Sequence, residues 1–291
     1  MISSDTSYSD LGVQAKLSVT TACTPWCSLK ELVPALAASG YDGIEVGLNK
    51  RSWNPEIAPS FWQNNAAMID LEHAMQDVQD LQSALQQSKL TVVGIASYLE
   101  ANNLTYLDEA YEVAAELGAS FIRVRAPWFN ASLDYPHLLK ETRAVYRGLS
   151  ERAHATGISA LMEIHNNSIC PSASAAMRVL EDLDPATVGV IFDPGNHVFE
   201  GYEKLDMALA ALGPYLRHVH VKNAAFSQDA ESYIGQKGVF SSLTEGGINW
   251  SLLLQKLHNF GYKGWYSLEN FSETEKGLSR LKPDADWFRS L

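Results

Sequence analysis

One unit recurs along this chain: an amphipathic helix, a Gly or polar stop, then a short run of apolar and β-branched residues. ALAASG-YDGIEV, AAELGA-SFIRVR, AHATG-ISALMEI and LHNFG-YKGWYSLE all follow it. In them Gly40, Gly118, Gly157 and Gly261 stand where a helix end favours a residue in the left-handed conformation. Counting such runs predicts eight strands, near 17–21, 42–47, 91–97, 120–125, 158–164, 187–192, 216–222 and 264–270, with helical patterns between most of them. Each interval is long enough for a right-handed crossover, so the strands form a parallel sheet covered by helices. Eight units predict an α/β fold closed into a single (β/α)8 barrel, with a doubly wound open sheet as the alternative.

Local signals agree with this parse. Ser28 to Glu31 reads as a capping box for the first helix, with Leu32, Ala35 and Leu36 as its buried stripe. Asn249 caps the helix that carries Leu252, Leu253 and Leu257. No low-complexity linker divides the chain, so residues 1–291 are expected to form one domain, with 1–15 a poorly ordered N-terminal extension. The long irregular stretches 48–66 and 223–248 follow strands two and seven, and loops of that length in a compact domain usually carry function.

Composition narrows the function classes. The net charge is −12, with only 22 Lys and Arg, a poor basis for binding along a phosphate backbone. The N-terminus lacks a basic segment followed by an apolar run, and no stretch of about 18 apolar residues occurs. A cytoplasmic protein without a membrane or nucleic-acid partner is therefore expected. Cys23, Cys27 and Cys170 are too few and too odd in number for a disulfide framework and read as reduced structural thiols.

In a barrel the chemistry sits where strands meet the loops that follow them. Strand five ends Leu161-Met-Glu163-Ile-His165-Asn166, and strand six runs Val190-Ile-Phe-Asp193-Pro-Gly-Asn196-His197. Strand seven ends His218-Val-His220-Val-Lys222-Asn223, and strand eight Ser267-Leu-Glu269-Asn270. Because side chains alternate, Glu163 and His165 share a face, as do His218, His220 and Lys222. Carboxylates crowded at one end of a barrel resist burial unless a positive charge lies among them. A divalent cation meets that need, and oxygen donors with one imidazole suit Mg²⁺ or Mn²⁺, then Co²⁺, with Zn²⁺ also compatible.

The ordered strings YDGIEVGLN, LMEIHNN, VGVIFDPGNHVFEG, HVHVKNA, LTEGGINW and GYKGWYSLENF resemble the xylose isomerase-like barrels of the sugar isomerase and epimerase superfamily. The resemblance implies one divalent metal held by Glu163, Asp193, His220 and Glu269, with His218 as the alternative ligand if the strand register is shifted by two. It also implies that Glu163 and Glu269 move the substrate proton. Glu45 would accept a substrate hydroxyl or form an interior ion pair with Arg123 or Arg125. His165, Asn196, His197 and Lys222 would touch substrate or orient the ligands. Superfamily relatives also point to a homodimer or homotetramer.

Aromatic residues near the predicted catalytic loops, Trp26, Trp53, Trp62, Tyr98 and Trp128, suit a ring-shaped ligand, two of the five being expected to touch it. Arg123 and Arg125 either hold a phosphate or carboxylate or are used in interior ion pairs. The leading expectation is a metal-dependent sugar or sugar-phosphate isomerase or epimerase acting by proton transfer next to a carbonyl. The alternative is a lyase or dehydratase acting on an inosose, an oxidised sugar or a glycoside. An endonuclease IV-like nuclease is disfavoured, because strand three ends Gly94-Ile-Ala-Ser-Tyr98 without a histidine and position 196 is Asn. A barrel that only binds is disfavoured because all four ligand positions are filled.

Overall fold

The computed structural model of the protein describes residues 15–50, 53–200, 203–272 and 277–291. All but residue 15 of the expected N-terminal extension lies outside the described residues. Eight parallel strands close into a barrel: β1 (Lys16–Thr20), β2 (Gly43–Asn49), β4 (Thr91–Ser97), β5 (Phe121–Arg123), β6 (Ser159–Glu163), β7 (Val188–Phe192), β8 (Leu216–Val221) and β11 (Trp265–Leu268). Closure follows from β1, which pairs with β2 on one side and β11 on the other, a ladder that an open sheet does not have.

Helices alternate with these strands: α1 (Leu29–Ala38), α2 (Ala74–Leu85), α3 (Leu107–Glu116), α4 (Tyr135–Thr156), α5 (Ala173–Leu180), α6 (Pro194–Glu200), α7 (Leu205–Leu212), α8 (Trp250–Phe260) and α9 (Leu281–Ser290). The main core lies between them and the outer wall of the barrel, where Leu32, Val33 and Leu36 of α1 and Val78 and Leu81 of α2 are fully buried. Val33 takes the place expected for Ala35, which is only partly buried. Ser28 forms the capping box with Glu31, and the Asn249 side chain accepts from Leu252 N at 3.0 Å. Helices α4 and α8 end at Gly157 (φ 75°) and Gly261 (φ 91°), a backbone region costly for other residues.

Inside the barrel, two-residue alternation climbs from apolar to charged. Phe121, Leu161 and Ile191, with Val93 and Trp265, form a separate apolar cluster. Two residues on from three of these stand Arg123, Glu163 and Asp193. Two further strands fall in the irregular stretch expected over 223–248, and one short strand lies just past the stretch expected over 48–66. β3 (Met68–Asp70) pairs with the end of β2, and β9 (Asn223–Gln228) with β10 (Gln236–Ser241) makes an antiparallel hairpin above β8. Cys23, Cys27 and Cys170 are buried and free, as reduced thiols should be. No helix among the described residues is long and apolar enough to cross a membrane.

Candidate active site

Four side chains meet at the upper end of the barrel. Glu163 is the last residue of β6, and His220 points inward from β8. Asp193 follows β7 and caps α6: its Oδ1 accepts from Asn196 N at 2.9 Å, and Pro194 takes the first helical position, where a missing N–H costs nothing. Its Oδ2 is left to face the barrel. Glu269 follows β11, and the next residue is anchored from α9. The Asn270 amide donates to Asp284 at 3.0 and 3.1 Å, and Arg280 donates to the Asn270 carbonyl.

His220 Nδ1 lies 3.3 Å from Glu163 Oε1, 3.4 Å from Glu269 Oε1 and 4.0 Å from Asp193 Oδ2. Each of the four residues offers one donor atom within 4.8 Å of the others, and all four are buried. Donors on opposite sides of an ion with bonds of about 2.0–2.1 Å stand roughly 4.2 Å apart, so three carboxylate oxygens and one imidazole nitrogen fit a hard or borderline divalent ion after small adjustments.

One layer lower, Glu45 accepts from both histidines of β8. It lies 3.0 Å from His218 Nε2 and 3.1 Å from His220 Nε2. His218 also reaches Ser267 Oγ at 3.0 Å. The Glu45 contact on Nε2 leaves His220 Nδ1 facing the carboxylates, and a carboxylate behind an imidazole fixes its orientation and raises its basicity. The structure corrects the expectation that Glu45 accepts a substrate hydroxyl or pairs with Arg123 or Arg125: it is wholly buried and pairs with His218 and His220. His218 likewise belongs to this lower layer, while His220 joins the four-donor set. Glu45→Gln is expected to weaken metal affinity about 10–100-fold while leaving the fold intact, measured by competition with a fluorescent chelator.

Cations surround the carboxylates. Arg123 donates from Nη1 to Glu163 Oε2 at 2.7 Å and from Nε to Ser97 O at 3.1 Å. Lys222 Nζ lies 2.6 Å from Asp193 Oδ2 and 2.7 Å from Glu269 Oε2. Its stem packs on Gly195, where a Cβ would come within 2.7 Å of Lys222 Cγ. Burial alone would raise the Glu163 carboxyl, but Arg123 and then His220 outweigh it and hold it well below the usual carboxylate range. At Asp193 burial prevails over Lys222, with Glu269 and Glu163 adding to it, and the carboxyl is pushed up to about 6. Burial would lower His220, yet Glu269 and Glu45 raise it well above the ordinary imidazole value.

Above this floor opens a cavity of about 280 Å³. Of the residues expected to touch substrate, His165, Lys222, Arg125 and Trp128 line it, together with Glu163 and Glu269. Asn196 and His197 do not. The cap formed by Asp193 turns Asn196 downward, where its amide donates to Asp193 Oδ2 at 2.8 Å and Glu163 Oε1 at 3.1 Å, and His197 lies 3.7 Å from Glu203. His165 Nδ1 faces the Asn166 carbonyl at 2.7 Å, and burial lowers its basicity. Trp62, Tyr98 and Trp128 line the cavity, whereas Trp26 packs on Phe61 and Trp53 is not a lining residue. Phe240 of β10, Phe271, Asn166 and Arg123 complete the wall. Arg123 takes the interior ion pair expected as one of its two roles, and Phe240 and Phe271 carry no sequence signal.

The chain belongs to the xylose isomerase-like TIM barrel family, whose model matches residues 33–291. A relative from Mesomycoplasma hyopneumoniae strain J, inosose dehydratase, is 25% identical over 293 residues, covering 91% of this chain and 89% of that protein. Among solved structures, the E. coli 3-keto-D-glucoside 4-epimerase YcjR superposes with a TM-score of 0.70 at 18% identity, over 96% of this chain and 100% of its own. The IOLI protein, solved with a zinc atom, gives 0.69 at 16% identity over 94% and 96%.

Proposed function

We propose that the protein is a divalent-metal-dependent enzyme that moves a proton next to a carbonyl of a sugar-like ring, giving isomerisation or epimerisation. The observation that carries this reading is the convergence of donors from Glu163, Asp193, His220 and Glu269 within 4.8 Å beneath a cavity sized for a small ring. The ion, Mn²⁺ or Mg²⁺ by the donor set, would polarise substrate oxygens and lower the cost of an enediolate.

The chain's own groups supply the rest. Glu269 is the proton carrier beside Lys222, whose ammonium, held protonated by Asp193 and Glu269, positions the carboxylate that takes and returns the proton. Glu163 is a ligand whose second oxygen is held by Arg123, so it serves as a weaker base on its own face. The Arg125 guanidinium, 5.0 Å from the Tyr98 ring and 5.6 Å from the Trp128 ring, has a buried Nε–H without a partner among the described residues and is placed to hold a ring oxygen. Asp193 and His220 stay with the metal.

A second reading, elimination, is supported by the dehydratase name of the relative that spans most of the chain. Proton abstraction is common to both readings, and only the fate of the carbanion differs. The acidic net charge argues against a nucleic-acid substrate.

The test is a screen in D₂O by ¹H NMR, using metal-loaded protein of verified occupancy with keto-sugars, inososes and 3-keto-glucosides. Deuterium entering beside the carbonyl with a new diastereomer or isomer supports the first reading, and release of water or alcohol the second. If no substrate class exchanges a proton at full metal occupancy, the proposal is wrong.

A further inference from the structure

Each cation lining the cavity is already paired. Arg123 lies 2.7 Å from Glu163, Arg125 3.0 Å from Glu100, and Lys222 2.6 and 2.7 Å from Asp193 and Glu269. A phosphate or carboxylate on the ligand would meet no cation without a carboxylate partner among the described lining residues, although the buried Arg125 Nε–H remains a donor without a partner among them. With a divalent ion at the floor, Arg123 and Lys222 complete the balance of the four carboxylates Glu45, Glu163, Asp193 and Glu269 around a neutral His220. Among the described residues, such a site has no excess positive charge with which to attract an anion.

The mouth of the cavity has a different character. Trp62, Phe240 and Trp128 come from three separate segments and remain 57%, 40% and 38% exposed. They are nonetheless held by ring contacts. Trp62 and Phe240 lie tilted against Phe271 at 5.0 and 5.5 Å, and Trp128 meets His165 edge-on at 5.0 Å. Exposed rings fixed in place at a cavity mouth mark a ligand surface. The cavity itself, about 280 Å³, falls just below the usual range of roughly 300–1,000 Å³ for small-ligand pockets. A volume of that size suits one sugar ring, and Trp62 stands in its wall where a group carried by such a ring would reach solvent.

We propose that the ligand is an uncharged sugar bearing a planar apolar group, and that Trp62 is the surface on which this group stacks. The inference rests on the reading of the floor as a metal centre for a sugar ring. Stacking on an indole strengthens binding by about 2–12-fold over a ligand without the planar group.

The experiment is calorimetric titration of the manganese-loaded protein with methyl β-D-glucopyranoside, phenyl β-D-glucopyranoside, glucose and glucose 6-phosphate. The phenyl glucoside is expected to bind about 2–12-fold more tightly than the methyl glucoside, and glucose 6-phosphate no more tightly than glucose. Trp62→Ala should remove the phenyl preference, read as the ratio of the two glucosides' affinities within the variant. Since Trp62 also packs on Phe271, Trp62→Leu, which keeps apolar bulk there, serves as the second variant and should lose the preference too. Equal affinity for the two glucosides, no binding of either, or tightest binding of glucose 6-phosphate overturns the proposal.

The two readings fail separately. Methyl glucoside binding that requires manganese, with no phenyl gain, removes the stacking surface and leaves the metal centre. A phenyl gain that is unchanged when manganese is withdrawn keeps the surface and removes the metal centre.

Discussion

Glu269→Gln is expected to lower proton exchange by about 10²–10⁴-fold, the usual scale for losing a general acid or base. The substitution keeps the side chain's volume and changes its charge. It also deprives Lys222 of one of the two carboxylates within 2.7 Å, so the ammonium moves toward Asp193 alone. Metal affinity falls as well, because one of four donors becomes a neutral amide. The two effects separate when the variant is assayed at saturating manganese with occupancy verified by elemental analysis. A deficit that persists at full occupancy assigns Glu269 to the proton, and recovery to the wild-type rate assigns it to the metal alone.

The second large effect is on stability. An ion present at 100 times its Kd stabilises the fold by about 2.7 kcal/mol, or roughly 5–10 °C in Tm for a domain of this size. The gain depends on pH. Folding raises Asp193 from an unfolded value of about 3.9 to about 6, so the stability linked to its proton is complete below the unfolded value and lost as pH climbs through about 6. His220 is also raised, so its contribution is complete below its unfolded value and is lost as pH passes its folded one. Both protons leave when the ion binds. The Tm difference between manganese-loaded and chelator-treated protein should therefore widen from pH 5.5 to pH 8. His220→Ala should abolish the difference, and His218→Ala should keep most of it. The reverse order of these two variants would place the ion one layer lower, beside Glu45.

The repeated helix, stop and strand pattern made the barrel legible, and from the polar residues at its strand ends the family resemblance singled out Glu163, Asp193, His220 and Glu269. Depth within the barrel was less legible. Strand two was expected over 42–47, which put Glu45 near its end, but β2 runs Gly43–Asn49 with a register shift between Ile44 and Glu45, so Glu45 lies beneath the histidines. Asn196 and His197 looked like strand-end residues until the Asp193 cap began a helix and turned both away from the cavity. The hairpin that delivers Phe240 has no strand signature in the sequence, because NAAFSQ and QKGVFS lack the alternation of a half-buried strand. Phe271 stands two residues past Glu269, where no periodicity extends.

The carboxylates at the floor are tied to a closed ladder, while Trp62 and Phe240 reach the same cavity from a loop and a two-stranded hairpin outside it. On the proposed function, chemistry and selectivity thus lie in separable stretches of chain. Exchanging residues 223–241 for a hairpin of another composition would change which molecules are admitted while Glu163, Asp193, His220 and Glu269 kept their places. A lineage built this way can acquire new substrates through its appendages without re-inventing its catalyst.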